Sequence, residues 1–462
     1  VPTYRIVTLG CKLNQADSSA LEARLLGLGL ARAAEALAGG EARLDPPSAD
    51  LVVLNTCTVT GGADREARQI ARRLRRANPR ATLIATGCYA ERDGQALASL
   101  PGVDHVVGMR DQAGRVEALA RAALGLAGPI DAPAGGAEPA KAPGEGAIDL
   151  GRFGATAACD PAASDRTRAY LKVQDGCDLR CSYCVIPSVR GGSRSLPPDE
   201  VLRRIVGLSD AGYREIVFTG VNTGDYGKDL SPSVRLHHLL ERALAIPSLG
   251  RLRLNSLEPR TITPEVIALL AAGGGRLARH LQIPLQSGCD TVLLRMRRNY
   301  RTADYARVVE RLRAAVPDIG LGADVIVGFP GETDAEFDAT CRFIEGSPLN
   351  YLHVFSYSAR PGTPAAAMPG ALAPPVVRER SARLRALGRD LSLRFRRAFV
   401  GRDVPALVLR EVRPDGRLRA LTDNFIDVGV DPGDHPAGGL LNQLIAVRIT
   451  AASGAETLAR AA

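Results

Sequence analysis

A chain of 462 residues exceeds one ordinary hydrophobic core, so roughly two to four domains are expected and a single small binding module is excluded. Hydrophobic residues make up 45% and charged residues 24%, the balance of a packed chain rather than a disordered or collagen-like one. Lysine and arginine outnumber aspartate and glutamate by 59 to 50, a net charge of +9, and only Lys12, Lys141, Lys172 and Lys228 are lysines. An arginine excess favours anionic partners, nucleic acid above all, although codon usage biased to arginine and alanine gives the same composition.

The first stretch alternates strand and helix patterns, as a parallel α/β layer does. Arg5–Leu9 reads as a strand, Ser19–Glu22 has capping-box spacing ahead of a helix, and Leu51–Leu54 is a second strand. Ala63–Ala77 is an arginine-rich helix stopped by Asn78-Pro79, Ala81–Thr86 a third strand, and Val103–Val107 a weaker one. From Pro129 to Asp165 the chain turns to Ala, Pro, Gly and Asp without periodicity, the composition of a linker. Six strand candidates follow: Tyr170–Val173, Glu215–Val221, Leu252–Leu257, His280–Leu285, Gly322–Phe329 and Tyr351–Tyr357, with helical patterns such as Asp199–Ser209 and Ala303–Ala315 between them. That series predicts an incomplete parallel barrel with its chemistry at the carboxyl ends of the strands. An arginine-dense helix over Val376–Phe399 leads to four short β runs, Pro405–Leu409, Leu418–Thr422, Phe425–Val430 and Leu444–Ile449, which predict a small all-β module.

No run of about 18 uncharged apolar residues occurs, and Val1–Arg5 lacks the basic-then-apolar order of a signal peptide, so a cytoplasmic location without membrane partners is expected. Nine cysteines, an odd number without an export signal, point to metal or catalytic use rather than a disulfide framework. Cys177, Cys181 and Cys184 follow directly on a strand, with Tyr183 before the last thiol. Three thiolates so close can hold three irons of a cubane and leave the fourth open. Structural zinc is the minor alternative, because no nearby Cys or His supplies a fourth ligand. Cys11, Cys57 and Cys88 each stand just past a strand run, in Leu-Gly-Cys, Asn-Thr-Cys and Thr-Gly-Cys. Strand ends share one edge of a parallel sheet, so these thiols can converge on a second cluster, against the alternative of three unrelated core cysteines. Cys159, Cys289 and Cys341 read as inert.

The Cys177–Cys184 segment resembles the signature of the radical S-adenosylmethionine superfamily. The two cysteine triads together resemble the methylthiotransferases. Thr8–Gln15, Asn55–Thr60, Ala63–Gln69, Gly87–Tyr89, Gln174–Ser195, Ser256–Pro259, Ile283–Gly288 and Asp324–Glu332 all read like the branch acting on tRNA threonylcarbamoyladenosine, the MtaB type. The departures are Gln282, where a histidine is expected, Cys289, where serine or asparagine is usual, and Ala420-Leu421-Thr422 in a tail that resembles a TRAM domain.

The resemblance implies residues 1–128 as the methylthiotransferase domain with an auxiliary cluster, 129–165 as linker, 166–395 as a partial (β/α)6 radical S-adenosylmethionine barrel, and 396–455 as a TRAM-like RNA-binding barrel. It implies two [4Fe–4S] clusters on Cys11, Cys57, Cys88 and on Cys177, Cys181, Cys184, S-adenosylmethionine as cofactor, and no catalytic side chain beyond these ligands. Gly220, Asn222, Ser256, Glu258, Gln286, Ser287 and Asp324, taken as polar groups at barrel strand ends, are expected to bind S-adenosylmethionine or shape the cavity. Arg65, Arg68, Arg72 and Arg76, on one face of a helix, are a candidate phosphate track, with a solvated charged face as the alternative. The expected reaction adds a methylthio group to carbon 2 of N6-threonylcarbamoyladenosine in a tRNA anticodon loop, with a flavodoxin or ferredoxin as electron donor and the sulfur source open. Isopentenyladenosine in tRNA and a ribosomal-protein aspartate are the alternatives within the family, and a noncatalytic iron–sulfur RNA-binding protein is the alternative outside it.

Overall fold

A computed structural model describes residues 1–33, 49–126, 153 and 167–462. The linker expected at 129–165 lies, apart from Phe153, outside the described residues, as does Cys159. The chain divides into two compact units, one taking Val1–Ala158 with Ile186–Gly192 and the other Cys159–Val185 with Ser193–Ala462.

The first unit is built from β1 (Thr3–Thr8), α1 (Lys12–Gly27), β2 (Ala31–Arg32), β3 (Leu51–Thr56), α2 (Gly61–Ala77), β4 (Thr82–Gly87), α3 (Cys88–Ala98), β5 (His105–Val107) and α4 (Gln112–Ala123). All strand pairs are parallel, in the order β2-β1-β3-β4-β5. Every residue of β3 is buried, as a central parallel strand covered on both faces requires. Its side chains alternate between two cores. Val52 and Leu54 join Ala67, Ala71, Leu74 and Leu97 from α2 and α3, whereas Leu51 and Val53 join Leu21, Leu25, Val116 and Ala120 from α1 and α4. Burial of these side chains contributes about 1.5–3 kcal/mol for each larger one. The strand order reverses between β1 and β3, and in doubly wound sheets such a switch point opens a crevice at the carboxyl ends.

The helix expected to begin near Ser19 begins at Lys12 instead, with extended Cys11 as its cap. Ser19 lies inside α1 and its Oγ donates to the Gln15 carbonyl at 3.0 Å, the local bond a mid-helix serine makes when it is not a cap.

The second unit continues with β6 (Arg168–Lys172), β7 (Gln174–Asp175), β8 (Arg194–Ser195), α6 (Pro198–Asp210), β9 (Glu215–Thr219), α7 (Leu236–Leu244), β10 (Arg251–Arg253), α8 (Pro264–Ala272), β11 (His280–Gln286), α9 (Asp290–Arg295), α10 (Thr302–Ala315), β12 (Gly320–Val327), α11 (Asp334–Glu345), β13 (Tyr351–Ser356) and α12 (Pro374–Arg397). Helix α5 (Ile186–Arg190) falls between β7 and β8 in sequence but belongs to the first unit. The six barrel strands form two parallel sheets, β10-β9-β6 and β11-β12-β13. A single parallel bridge, Leu252 to Leu277, carries the arc from one to the other, because the chain before β11 pairs with β10 for one residue only.

A closed barrel of β14 (Asp403–Val412), β15 (Leu418–Thr422), β16 (Asp427–Asp431), β17 (Leu444–Ala452) and β18 (Thr457–Ala461) follows, in the order β14-β15-β16-β18-β17. Short α13 (Ala437–Leu440) precedes β17. Four β runs were expected; the fifth strand, β18, reads Thr-Leu-Ala-Arg-Ala, which carries little strand propensity, and pairing with β16 and β17 overrides it. It lies past residue 455, where the sequence closes this module.

Candidate functional site

In the first unit, β1, β3 and β4 are neighbours in register, Thr8 opposite Asn55 and Thr56 opposite Gly87, so Cys11, Cys57 and Cys88 emerge at one edge. Gly10 brings the backbone against Cys57: at its φ of +93°, an added Cβ would stand 2.5 Å from Cys57 Cβ and 2.7 Å from Cys57 Sγ. Gly87, at φ +95°, is as confined, 2.4 Å from Asn55 Oδ1. Two of the three thiols sit at helix N-termini, Cys11 as the cap of α1 and Cys88 as the first residue of α3. Burial pushes the Cys57 thiol up to about 12, opposed by the Val59 N–H and raised further by Cys11 and Cys88. Burial also raises Cys88, with Arg190 pulling the other way. Cys57 and Cys88, costly to ionise while unliganded, together with Cys11 beside them have the donor chemistry of an iron–sulfur cluster, whose positive irons compensate thiolate charge. Among the described residues no three His, Cys, Asp or Glu side chains are gathered as ligands of one metal ion.

Asn14 braces this edge. Its Nδ2 donates to the carbonyls of Leu9 and Thr56, each at 2.9 Å, and Cys88 Sγ lies 3.7 Å from its Oδ1.

In the second unit, Cys177, Cys181 and Cys184 follow β6 and β7, with Cys177 and Cys181 buried and Cys184 partly so. Burial pushes Cys177 up to about 11 against the N–H of Leu179. Arg298 Nη1 stands 3.0 Å from Cys181 Sγ and 3.5 Å from the Tyr183 hydroxyl, its Nη2 pairs with Glu258, and its guanidinium lies over the Tyr300 ring. Burial raises the Glu258 carboxyl, and Arg298 resists that.

The expected polar set is distributed unevenly. Glu258 is drawn towards the cysteines by Arg298. Gly220 follows β9 so closely that a Cβ would meet Gln174 Oε1 at 2.7 Å, and the same oxygen accepts from the Asn222 N–H at 2.9 Å. Asn222 Nδ2 donates to Asp225, whereas its buried Oδ1 has no protein partner among the described residues. Ser256 and Gln286 adopt left-handed backbone, φ +58° and +64°, at the turns leaving β10 and β11. Ser287 is committed elsewhere, its Oγ 3.1 Å from Thr340 Oγ1 on α11. Asp324 is not at a strand end: it lies within β12, opposite Pro284 and His353, and accepts from Gln282 Nε2 at 2.6 Å. The inward pleat of β12, not its terminus, places it.

On α2, Arg65, Arg72 and Arg76 are exposed, while Arg68 donates to the Tyr89 hydroxyl at 2.6 Å. Cys289 Sγ lies 3.2 Å from Thr291 Oγ1, and Cys341 is buried on α11. Sequence reasoning missed Arg190 and Arg298, whose guanidiniums touch cysteine sulfur.

Comparison with known proteins matches residues 171–344 to the radical SAM superfamily and residues 3–108 to the uncharacterized protein family UPF0004. A threonylcarbamoyladenosine tRNA methylthiotransferase MtaB of Bacillus subtilis (strain 168) is 37% identical, covering 92% of this chain and 90% of its own length. One of the same description from Thermotoga maritima is 34% identical, over 87% and 85%. A tRNA-2-methylthio-N(6)-dimethylallyladenosine synthase of Acidothermus cellulolyticus is 34% identical, over 92% and 81%. Among solved structures, the radical S-adenosylmethionine methyltransferase TsrM of Kitasatospora setae shares the fold, with a TM-score of 0.52 at 18% identity, over 79% of this chain and 76% of that one. With relatives this similar along nearly the whole of its length, the chain belongs to the radical S-adenosylmethionine methylthiotransferases, enzymes that use S-adenosylmethionine and [4Fe–4S] clusters.

Proposed function

We propose that this enzyme methylthiolates carbon 2 of N6-threonylcarbamoyladenosine beside the anticodon of tRNA, with Cys177, Cys181 and Cys184 holding the radical cluster and Cys11, Cys57 and Cys88 the auxiliary one. The observation that carries the reading is a separate set of three cysteines in each unit, one sulfur of each set touched by a buried arginine. The choice of nucleoside is supported by the relatives of MtaB description, at up to 37% identity, against the dimethylallyladenosine synthases at 34–35%.

When bound, the radical cluster and S-adenosylmethionine supply a carbon-centred radical, which suits a ring C–H far too weakly acidic for any side-chain base. The chain's own residues bind and orient. Arg298 fixes Glu258 next to Cys181, the left-handed turns at Ser256 and Gln286 direct backbone groups at the strand ends, and Asn222 Oδ1 offers a buried acceptor. Arg65, Arg72 and Arg76 are available for backbone phosphates. A target base in a single-stranded loop can be splayed into a pocket without opening a duplex.

Offering the reconstituted enzyme tRNA bearing threonylcarbamoyladenosine and tRNA bearing isopentenyladenosine, in separate reactions read by nucleoside mass spectrometry, tests the substrate. The methylthio product is expected from the first. Product from the second alone contradicts the assignment.

A further inference from the structure

Arg190 ends α5, a little beyond Cys184 in the chain, yet its side chain serves the N-terminal thiols. The guanidinium is 1% exposed and its ion-pair partner Asp17 is 2% exposed. Nε donates to Cys88 Sγ at 3.3 Å, and Nη2 donates to Asn14 Oδ1 and to Asp17 Oδ2, each at 2.8 Å. The pair is therefore oriented, with Nε of the guanidinium on sulfur and Nη2 on the carboxylate.

A buried ion pair is a poor device for stability alone, since desolvation cancels much of the attraction and apolar residues of like volume do as well. Beside a redox-active group the same pair has a directional effect. Reduction adds negative charge, which a contacting guanidinium stabilises and a nearby carboxylate opposes. Hydrogen bonds and charges around cluster sulfurs are among the levers that set such potentials.

We infer that Arg190 and Asp17 are positioning residues for the auxiliary site, which act through Cys88 to set its reduction potential, Arg190 raising it and Asp17 lowering it. This rests on the reading that Cys11, Cys57 and Cys88 hold a cluster. The pair also ties that site to the segment following Cys184, so the residue that tunes one cysteine triad is delivered by the chain that carries the other.

The test uses the full chain with Cys177, Cys181 and Cys184 replaced by Ala, so that only the N-terminal cluster is reconstituted. Iron and sulfide content, the EPR spectrum of the reduced state and the midpoint potential are measured for this parent and for added Arg190→Met, Arg190→Lys and Asp17→Asn. With iron retained, Arg190→Met is expected to lower the midpoint and shift the g-values, Arg190→Lys to return the midpoint towards the parent, and Asp17→Asn to raise it. Should Arg190→Met fail to fold, the sign of the Asp17→Asn shift still decides. Unchanged midpoints, or shifts of Arg190→Met and Asp17→Asn in the same direction, overturn the inference. A parent that binds no iron overturns the cluster reading beneath it.

Discussion

Glu215, on β9, shows how a single residue anchors the barrel. It is fully buried and faces three arginines, with Arg253 Nε at 2.9 Å, Arg251 Nη1 at 3.4 Å and Arg168 Nη1 at 3.8 Å. Burial works against its charge, but the arginines prevail and hold the carboxyl down at about 2. A depressed carboxylate contributes stability that is complete above its unfolded value of about 4.3 and is lost as pH falls from there towards 2. Glu215→Gln is expected to cost about 3 kcal/mol near neutral pH in urea titrations of the apo chain, and to weaken the loss of stability between pH 5 and pH 3 that the parent shows. A variant with parental stability at both pH values contradicts this role. At this scale the cysteines were legible because thiols are rare and their placement after strands repeats. Arg190 and Arg298 were not, because in a chain this rich in arginine no single one carries a signal, and only burial against sulfur marks them.

Among the elements, alternating strand and helix patterns revealed the parallel layers, because a strand covered on both faces leaves a continuous apolar run, as Leu51–Leu54 does. Terminal signals failed where tertiary pairing decides. The serine of an apparent capping box is spent inside α1, and β18 is a strand only through its ladders with β16 and β17. That strand closes the C-terminal barrel, so ending the chain after Ala452 exposes two unpaired edges. The truncated protein is expected to melt at lower temperature and to aggregate, measured by scanning calorimetry and light scattering; an unchanged Tm contradicts the closure. Removal of the whole module is a poor probe of RNA affinity for a related reason. The Thr422–Phe425 loop is a partner of β10 and of the start of β11: Arg253 donates to the Thr422 and Asp423 carbonyls, each at 3.0 Å, Arg279 pairs with Asp423, and the Phe425 ring stacks on His280. Loss of that loop removes the carbonyl acceptors of the buried Arg253 guanidinium, and the resulting instability obscures any change in binding.

For the molecule as a whole, the net charge of +9 suits a polyanionic substrate, and no helix among the described residues is long and apolar enough to cross a membrane. Sequence indicated an incomplete barrel, but not its division into two sheets, because that depends on how few residues of the chain before β11 reach β10. Nor did it indicate that α5 joins the N-terminal unit, since a five-residue helix has no periodicity to reveal which core it serves. The central claim is that each unit carries its own cysteine triad with its own task. Replacing Cys11, Cys57 and Cys88 together with Ala, reconstituting the full chain and quantifying 5′-deoxyadenosine and methylthiolated nucleoside in one reaction tests it most directly. Continued 5′-deoxyadenosine formation with loss of the methylthio product is the result expected, and methylthiolation at the wild-type level would contradict it.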